Sequence, residues 1–338
     1  MFLNYYCYIL FFPMLLISLF MSLIMNSWIS LWMIMEINLL SIIMLMLFDK
    51  LIKFELLMKY FLFQSFNSYL YLMNSLFIYF FNNELFQIIM NFNMLMKLSI
   101  VPFHYWYIKI IMNLNWMNIF NLTILNKIIP LIIINNIMNY YKNNIMLINF
   151  ILLILSSLFS CIMTLNMINI KLIMGYSSMI QISWIIISMN FNEIMSVLLF
   201  IIYMLISLNI YFNMYMMNTN NLIQLNYLKF NNKLIFLNLM LSLFSLSSIP
   251  PFWGFMIKLI SIKIFSMINL NYLFVFLMIF NSLVSMFFYI RLMYFSLVNY
   301  MFTIKNNMKF INFSINLNYK LIYLNWMTIM FFVIYEIF

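Results

Sequence analysis

Residues 27–48 read SWISLWMIMEINLLSIIMLMLF. A run of this length, apolar apart from a few hydroxyl and amide side chains and one acid, Glu36, crosses a bilayer core of about 30 Å as a single helix. The rest of the chain repeats the pattern. Its 338 residues are 67% hydrophobic and 7% charged, with a mean hydropathy of +1.07. Soluble domains carry about 25% charged residues, so lipid is the solvent and the fold class is an all-α polytopic membrane protein. The net charge of +10 resides in lysines scattered between apolar runs, with no basic cluster interleaved with exposed aromatics. That distribution fits topology signals and excludes a nucleic-acid partner.

Eleven transmembrane helices are expected, at about 3–24, 27–48, 57–80, 84–112, 118–139, 145–165, 171–190, 194–215, 234–268, 272–295 and 320–337. The fourth and ninth are too long for one straight crossing. Each contains proline, Pro102 in one and Pro250-Pro251 in the other, so both are expected to be broken helices. Loops after even-numbered helices carry Lys50, Lys53, Lys109, Lys171, Lys229, Lys233, Lys305, Lys309 and Lys320. The opposite side has little beyond Lys142 and Lys263, with Glu84, Glu193 and Glu336. The positive-inside rule then places the N-terminus on the lysine-rich side and the C-terminus on the opposite side.

The broken helices stand fourth among helices one to five and fourth among helices six to ten. Five-helix units repeat with inverted topology, and interrupted helices at matching positions in such repeats point to a transport pathway. The expected organisation is a first five-helix repeat over 1–143, a second over 144–296, and a loop with a C-terminal helix over 297–338.

Alanine is absent, Gly occurs twice and Arg once, while Ile, Met, Phe, Asn and Tyr dominate. Small residues normally help membrane helices pack, so this usage reflects an A/T-rich genome, most simply an animal mitochondrial one with an A/T-rich bacterium as the alternative. In a mitochondrion the N-terminal, lysine-rich side is the matrix and the C-terminal side the intermembrane space. The N-terminal stretch is apolar without a presequence pattern, as expected of a chain made inside the organelle. Cys7 and Cys161 sit in separate apolar runs with no metal-ligand spacing.

An ionisable group at the bilayer centre costs about 2.5–3.5 kcal/mol on insertion scales. Four lie well inside spans: Glu36, Lys97 in MLMKLSIVPFHYW, Lys127 in LTILNKIIPL, and Lys258 in SSIPPFWGFMIK. Together they would cost on the order of ten kcal/mol if unpaired. The bland alternatives are a structural ion pair, or a lysine snorkelling to the interface, which suits Lys258 better than Lys97 or Lys127. Desolvation disfavours a charged lysine and a nearby carboxylate favours it, so movement of Glu36 relative to Lys97 would switch the lysine's charge. Asn38, Ser41, Gln64, Ser99, Asn126, Ser177, Ser178 and Gln181 are candidates to line a hydrated cavity, against the competing role of interhelical hydrogen bonding. His104, the one histidine, follows the Pro102 break and suits a proton entrance or a helix-break role equally. One histidine and two separated cysteines cannot ligate paired haems or an iron–sulfur cluster. With Gly175 and Gly254 the only glycines, no Rossmann or phosphate loop exists. No cofactor or metal is expected on this chain.

In order and spacing, these segments resemble the chain 2 family of mitochondrial NADH–ubiquinone oxidoreductase (complex I), the antiporter-like proton-translocating subunits in their shortened animal form. The resemblance is carried by Glu36-Ile37-Asn38, Lys59-Tyr60-Phe61-Leu62 with Gln64, and Lys97 with Pro102-Phe103-His104 and Trp106. It continues through Lys127 with Pro130, Tyr176-Ser177-Ser178 with Trp184, and Pro250-Pro251 with Gly254-Phe255 and Lys258. It implies that Glu36 and Lys97 form a modulating pair, that Lys127 connects onward, and that Lys258 stands on the exit side. It further implies a multi-pass place in the mitochondrial inner membrane, partners among other membrane-arm subunits including other antiporter-like chains, and lipids such as cardiolipin. NADH, FMN, iron–sulfur clusters and ubiquinone would be handled by other subunits. Four residues depart from the family pattern: Gln181 for His, Ser247-Ser248 for a Gly pair, and Ile257 for Pro. Two rival readings are a free-standing cation/proton antiporter, which would need clustered carboxylates, and a structural membrane-arm subunit with no proton path of its own.

Overall fold

In the computed structural model, which describes residues 2–49, 52–81, 84–140, 142–217, 219–222, 224, 233–250, 252–267 and 272–303, the apolar runs fold as helices. They are α1 (Phe2–Ile24), α2 (Trp28–Leu47), α3 (Phe54–Phe81), α4 (Glu84–Lys97), α5 (Tyr105–Ile111), α6 (Trp116–Phe120), α7 (Asn126–Tyr140), α8 (Lys142–Asn166), α9 (Ile170–Met189), α10 (Glu193–Met217), α11 (Lys233–Leu246), α12 (Trp253–Met267) and α13 (Tyr272–Thr303). Among the described residues there is no strand, and six helices are long and apolar enough to cross a membrane: Trp28–Leu47, Trp116–Met138, Ile148–Asn166, Ile170–Met189, Glu193–Met217 and Tyr272–Tyr294. The expected helix at 320–337, with Lys305, Lys309, Lys320 and Glu336, lies outside the described residues, as do Lys50, Lys229 and Pro251.

The chain divides into two compact units between Ser156 and Ser157, inside α8. In the first, α2 packs on α1 and α3, and α3 on α4. Ser27 starts α2 by accepting a hydrogen bond from the Ser30 amide at 3.3 Å, which satisfies one of the donors a helix N-terminus leaves open. The helix through Lys127 is irregular: α6 passes into a π-helical turn, Asn121–Leu125, and then into α7. Pro130 inside α7 has no amide to give the Asn126 carbonyl.

In the second unit α9 is buried along its whole length, so Lys171, Ser177, Ser178 and Gln181 all point into protein. The single arginine, Arg291 of α13, closes the carbonyl end of α8. It donates to Thr164 at 3.1 Å, Met167 at 3.4 Å and Leu165, groups a helix end otherwise leaves unmet.

Both expected breaks are present, between α4 and α5 and between α11 and α12, and they share one local design. Segment 98–109, LSIVPFHYWYIK, aligns without gaps on 247–258, SSIPPFWGFMIK. In each, the serine turns into the left-handed region, Ser99 at φ 63° and Ser248 at φ 58°, a cost of the order of 1 kcal/mol that a packed surrounding must hold. The flanking amides match pair by pair. Leu98 donates to Met94 as Ser247 does to Leu243, Ser99 to Met96 as Ser248 to Ser245, and Phe103 to Ile100 as Phe252 to Ile249. Gly254 is required by contact: a Cβ there would meet the Ser245 carbonyl oxygen at 1.6 Å.

Candidate functional site

Glu36 stands midway along α2, half-buried, and accepts a hydrogen bond from Ser68 of α3. Lys97 is the last residue of α4, where free helix carbonyls favour a cation, and is 7% exposed. Its Nζ lies 3.4 Å from the sulfur of Met35. No ion pair joins Glu36 and Lys97 among the described residues, yet the two are near enough to act on each other electrostatically. The structure therefore brings the acid and the lysine to one place with a gap between them.

A small polar cavity, with room for about one water, opens beside the lysine. Lys97, Asn38, Tyr60, Gln64 and Asn126 line it, with Met35, Leu39, Ile129 and Pro130 as its apolar wall. Across it Asn38 donates to Asn126 at 3.5 Å, and Asn126 to the Tyr60 hydroxyl at 2.9 Å. The Asn38 Oδ1 and the Gln64 Nε2 keep no protein partner. Of the side chains expected to line a hydrated space, Asn38, Gln64 and Asn126 line this cavity. Ser41 and Ser99 instead bond the carbonyls of Asn38 and Leu98.

Lys127 follows Asn126, so the cavity beside Lys97 reaches the residue next to the second lysine. Lys127 is 2% exposed and lies over the Tyr107 ring, 4.5 Å from its centroid, a cation–π contact worth up to about 2 kcal/mol where water is excluded. His104 occupies the N-cap position of α5 directly after the break, buried, with its ring tilted against Tyr105 at a centroid separation of 4.2 Å, and bonded to the Pro102 backbone.

In the second unit Lys258 sits one turn into α12, 6% exposed, and donates to Ser248 at the break. Cys161 is close enough to interact with it electrostatically. Ser177 and Ser178 bond the carbonyls of Met174 and Gly175.

Sequence reasoning missed Asp49. This carboxylate at the end of α2 is 5% exposed and accepts from the Asn115 amide at 3.1 Å, the Asn115 side chain, and the Asn118 side chain at 2.6 Å. Asn118 also donates to the Leu45 carbonyl and accepts from Tyr8. The latch fixes the start of the Lys127 helix against the helix that carries Glu36. Its one signal was an acid at the very end of an apolar run.

The NADH:quinone oxidoreductase/Mrp antiporter transmembrane model matches residues 25–286. The chain belongs to this family. A NADH-ubiquinone oxidoreductase chain 2 from Rhipicephalus sanguineus is 35% identical over 90% of this chain and 95% of its own. Another from Anopheles gambiae is 32% identical over 84% of each. Among solved structures, a chain of the archaeal membrane-bound sulfane sulfur reductase matches with a TM-score of 0.82 at 18% identity, over 96% of this chain and 72% of its own. At that identity the likeness establishes the antiporter-family fold alone.

Proposed function

We propose that this chain translocates protons through a relay in which Glu36 sets the charge of Lys97, Lys127 carries the proton onward and Lys258 serves the exit side. The chain is an antiporter-like membrane-arm subunit of respiratory NADH–ubiquinone oxidoreductase, a multi-pass protein of the mitochondrial inner membrane. Quinone reduction elsewhere in the complex drives the rearrangement, and this chain holds no redox centre. Supporting the relay most directly is the polar cavity that touches Lys97 on one side and Asn126, the neighbour of Lys127, on the other. A lysine amine buried against a thioether, with a carboxylate at a distance, gains or loses its proton according to where that carboxylate stands. His104, buried at the α4–α5 break, is the entrance group from the matrix.

The same reading holds eleven crossings in two inverted five-helix repeats, 1–143 and 144–296, with a final helix in 297–338. The N-terminus lies in the matrix, the C-terminus in the intermembrane space, and other antiporter-like chains and cardiolipin are neighbours. The test is Lys97→Met in the assembled complex. Quinone reduction with assembly intact and fewer protons moved per electron is the expected result. An unchanged proton-to-electron ratio would refute the relay and leave a structural membrane-arm subunit.

A further inference from the structure

Away from the lysines, the first unit buries a group of amides that its own side chains do not satisfy. Asn67 and Asn74 on α3, Gln87 and Asn91 on α4, and Asn149 on α8 are each 7% exposed or less. Both polar atoms of Asn67 and of Gln87 lack a protein partner, as do Asn74 Nδ2, Asn91 Oδ1 and Asn149 Nδ2. One direct bond joins the group, Asn91 to Asn149 at 2.6 Å. A buried amide atom left unpaired costs about 1–3 kcal/mol. Because these atoms are enclosed by this chain alone, no neighbouring subunit reaches them, and water is the ligand small enough to do so.

Their heights in the membrane make a row. Phe77 stacks on Phe86 at 5.1 Å, which levels the antiparallel α3 and α4. At about 1.5 Å per residue, Gln87 then lies roughly 1.5 Å from that level, Asn74 about 4.5 Å, Asn91 about 7.5 Å, Asn67 about 15 Å and Lys97 about 16.5 Å. The steps in height are short enough for one or two waters each, and the last amide comes level with the lysine. The second unit supplies the contrast: Asn209, Asn213 and Asn238, also buried where α10 meets α11, bond one another at 3.1–3.5 Å. There the amides close on themselves. In the first unit they stay open.

We infer that Asn67, Asn74, Gln87, Asn91 and Asn149 hold a row of water molecules that conducts protons between the Lys97 site and the end of the α3–α4 hairpin. This is a second polar way out of the first unit, distinct from the route through Lys127. It rests on the reading of Lys97 as a relay group, and the experiment separates the two. A water-resolving electron cryo-microscopy map of the assembled complex is expected to show ordered density bridging these amides up to Lys97; dry packing around Asn67 and Gln87 would overturn the row. Asn74→Leu, which keeps the branched arrangement of heavy atoms and removes the polar ones, is expected to lose part of the proton release while quinone reduction and assembly are kept. Waters in place with wild-type proton release in Asn74→Leu would overturn conduction. Normal pumping in Lys97→Met with the waters still ordered would overturn the relay and leave the water row standing.

Discussion

Replacing Gly254 by alanine tests the geometry of the second break with one methyl group. The added carbon would stand 1.6 Å from the Ser245 carbonyl oxygen and 2.8 Å from its carbon. Even a close C···O contact needs about 3.3 Å, so α11 and α12 must part by about 1.7 Å. Neither side yields cheaply, since the obstacle is backbone and no side chain can rotate away. Forced overpacking costs about 1–3 kcal/mol and occasionally more. A displacement of that size also separates Lys258, one helical turn beyond Gly254, from Ser248, and a lost hydrogen bond to a charged group adds about 1.5–3 kcal/mol. Gly254→Ala is therefore expected to destabilise the second unit by about 3–5 kcal/mol. Expected in membranes are reduced levels of the assembled complex, a lower thermal-inactivation midpoint of quinone reductase activity, and impaired proton release in what survives. A variant that assembles at wild-type level with an unmoved midpoint would refute the close approach.

Two further variants probe the scaffold. Asp49→Asn swaps one acceptor oxygen for a donor facing the Asn115 and Asn118 donors, so the complex should lose about 1–3 kcal/mol of stability; an unchanged inactivation midpoint would mean the latch holds nothing. Arg291→Leu leaves the Thr164, Leu165 and Met167 carbonyls without the guanidinium. Faster proteolytic cleavage near residues 164–169 than in wild type is the expected readout, and equal protection in the two would count against the cap.

What could be read without coordinates follows from contrast. In an apolar run a lone lysine or acid stands out, so Glu36, Lys97, Lys127 and Lys258 were legible, and proline in an overlong run marked both breaks. Less could be read where the signal has competing meanings. Asp49 adjoins Lys50 and looks like a loop charge, although it closes a buried latch. Ser68, which bonds Glu36, is one of many membrane serines, most of which bond a carbonyl of their own helix here. The π-helical turn at Asn121–Leu125 has no sequence mark, because a widened turn depends on what packs around it. Tyr107 over Lys127 is a tertiary pairing across a turn and two helices. The departure at Ser247-Ser248 can be understood after the fact: Ser248 takes the left-handed conformation that glycine adopts more easily, and in return gives Lys258 a hydroxyl.

The two breaks then pose a question about where a membrane protein can bury a lysine. Three flanking backbone hydrogen bonds match between them, yet the lysines occupy different registers. Leu246 stands where the first unit has Lys97, and exposed Lys109 stands where the second has buried Lys258. Each break offers two kinds of shelter for an amine: the open carbonyls at the end of the incoming helix, and the serine at the turn facing the outgoing one. Lys97 takes the first, closing α4; Lys258 takes the second, donating to Ser248. One interrupted-helix design thus lowers the cost of a buried charge on either side of its gap. That is why the sequence can shift the lysine by twelve positions between the units, from one side of the break to the other, without altering the frame that holds it.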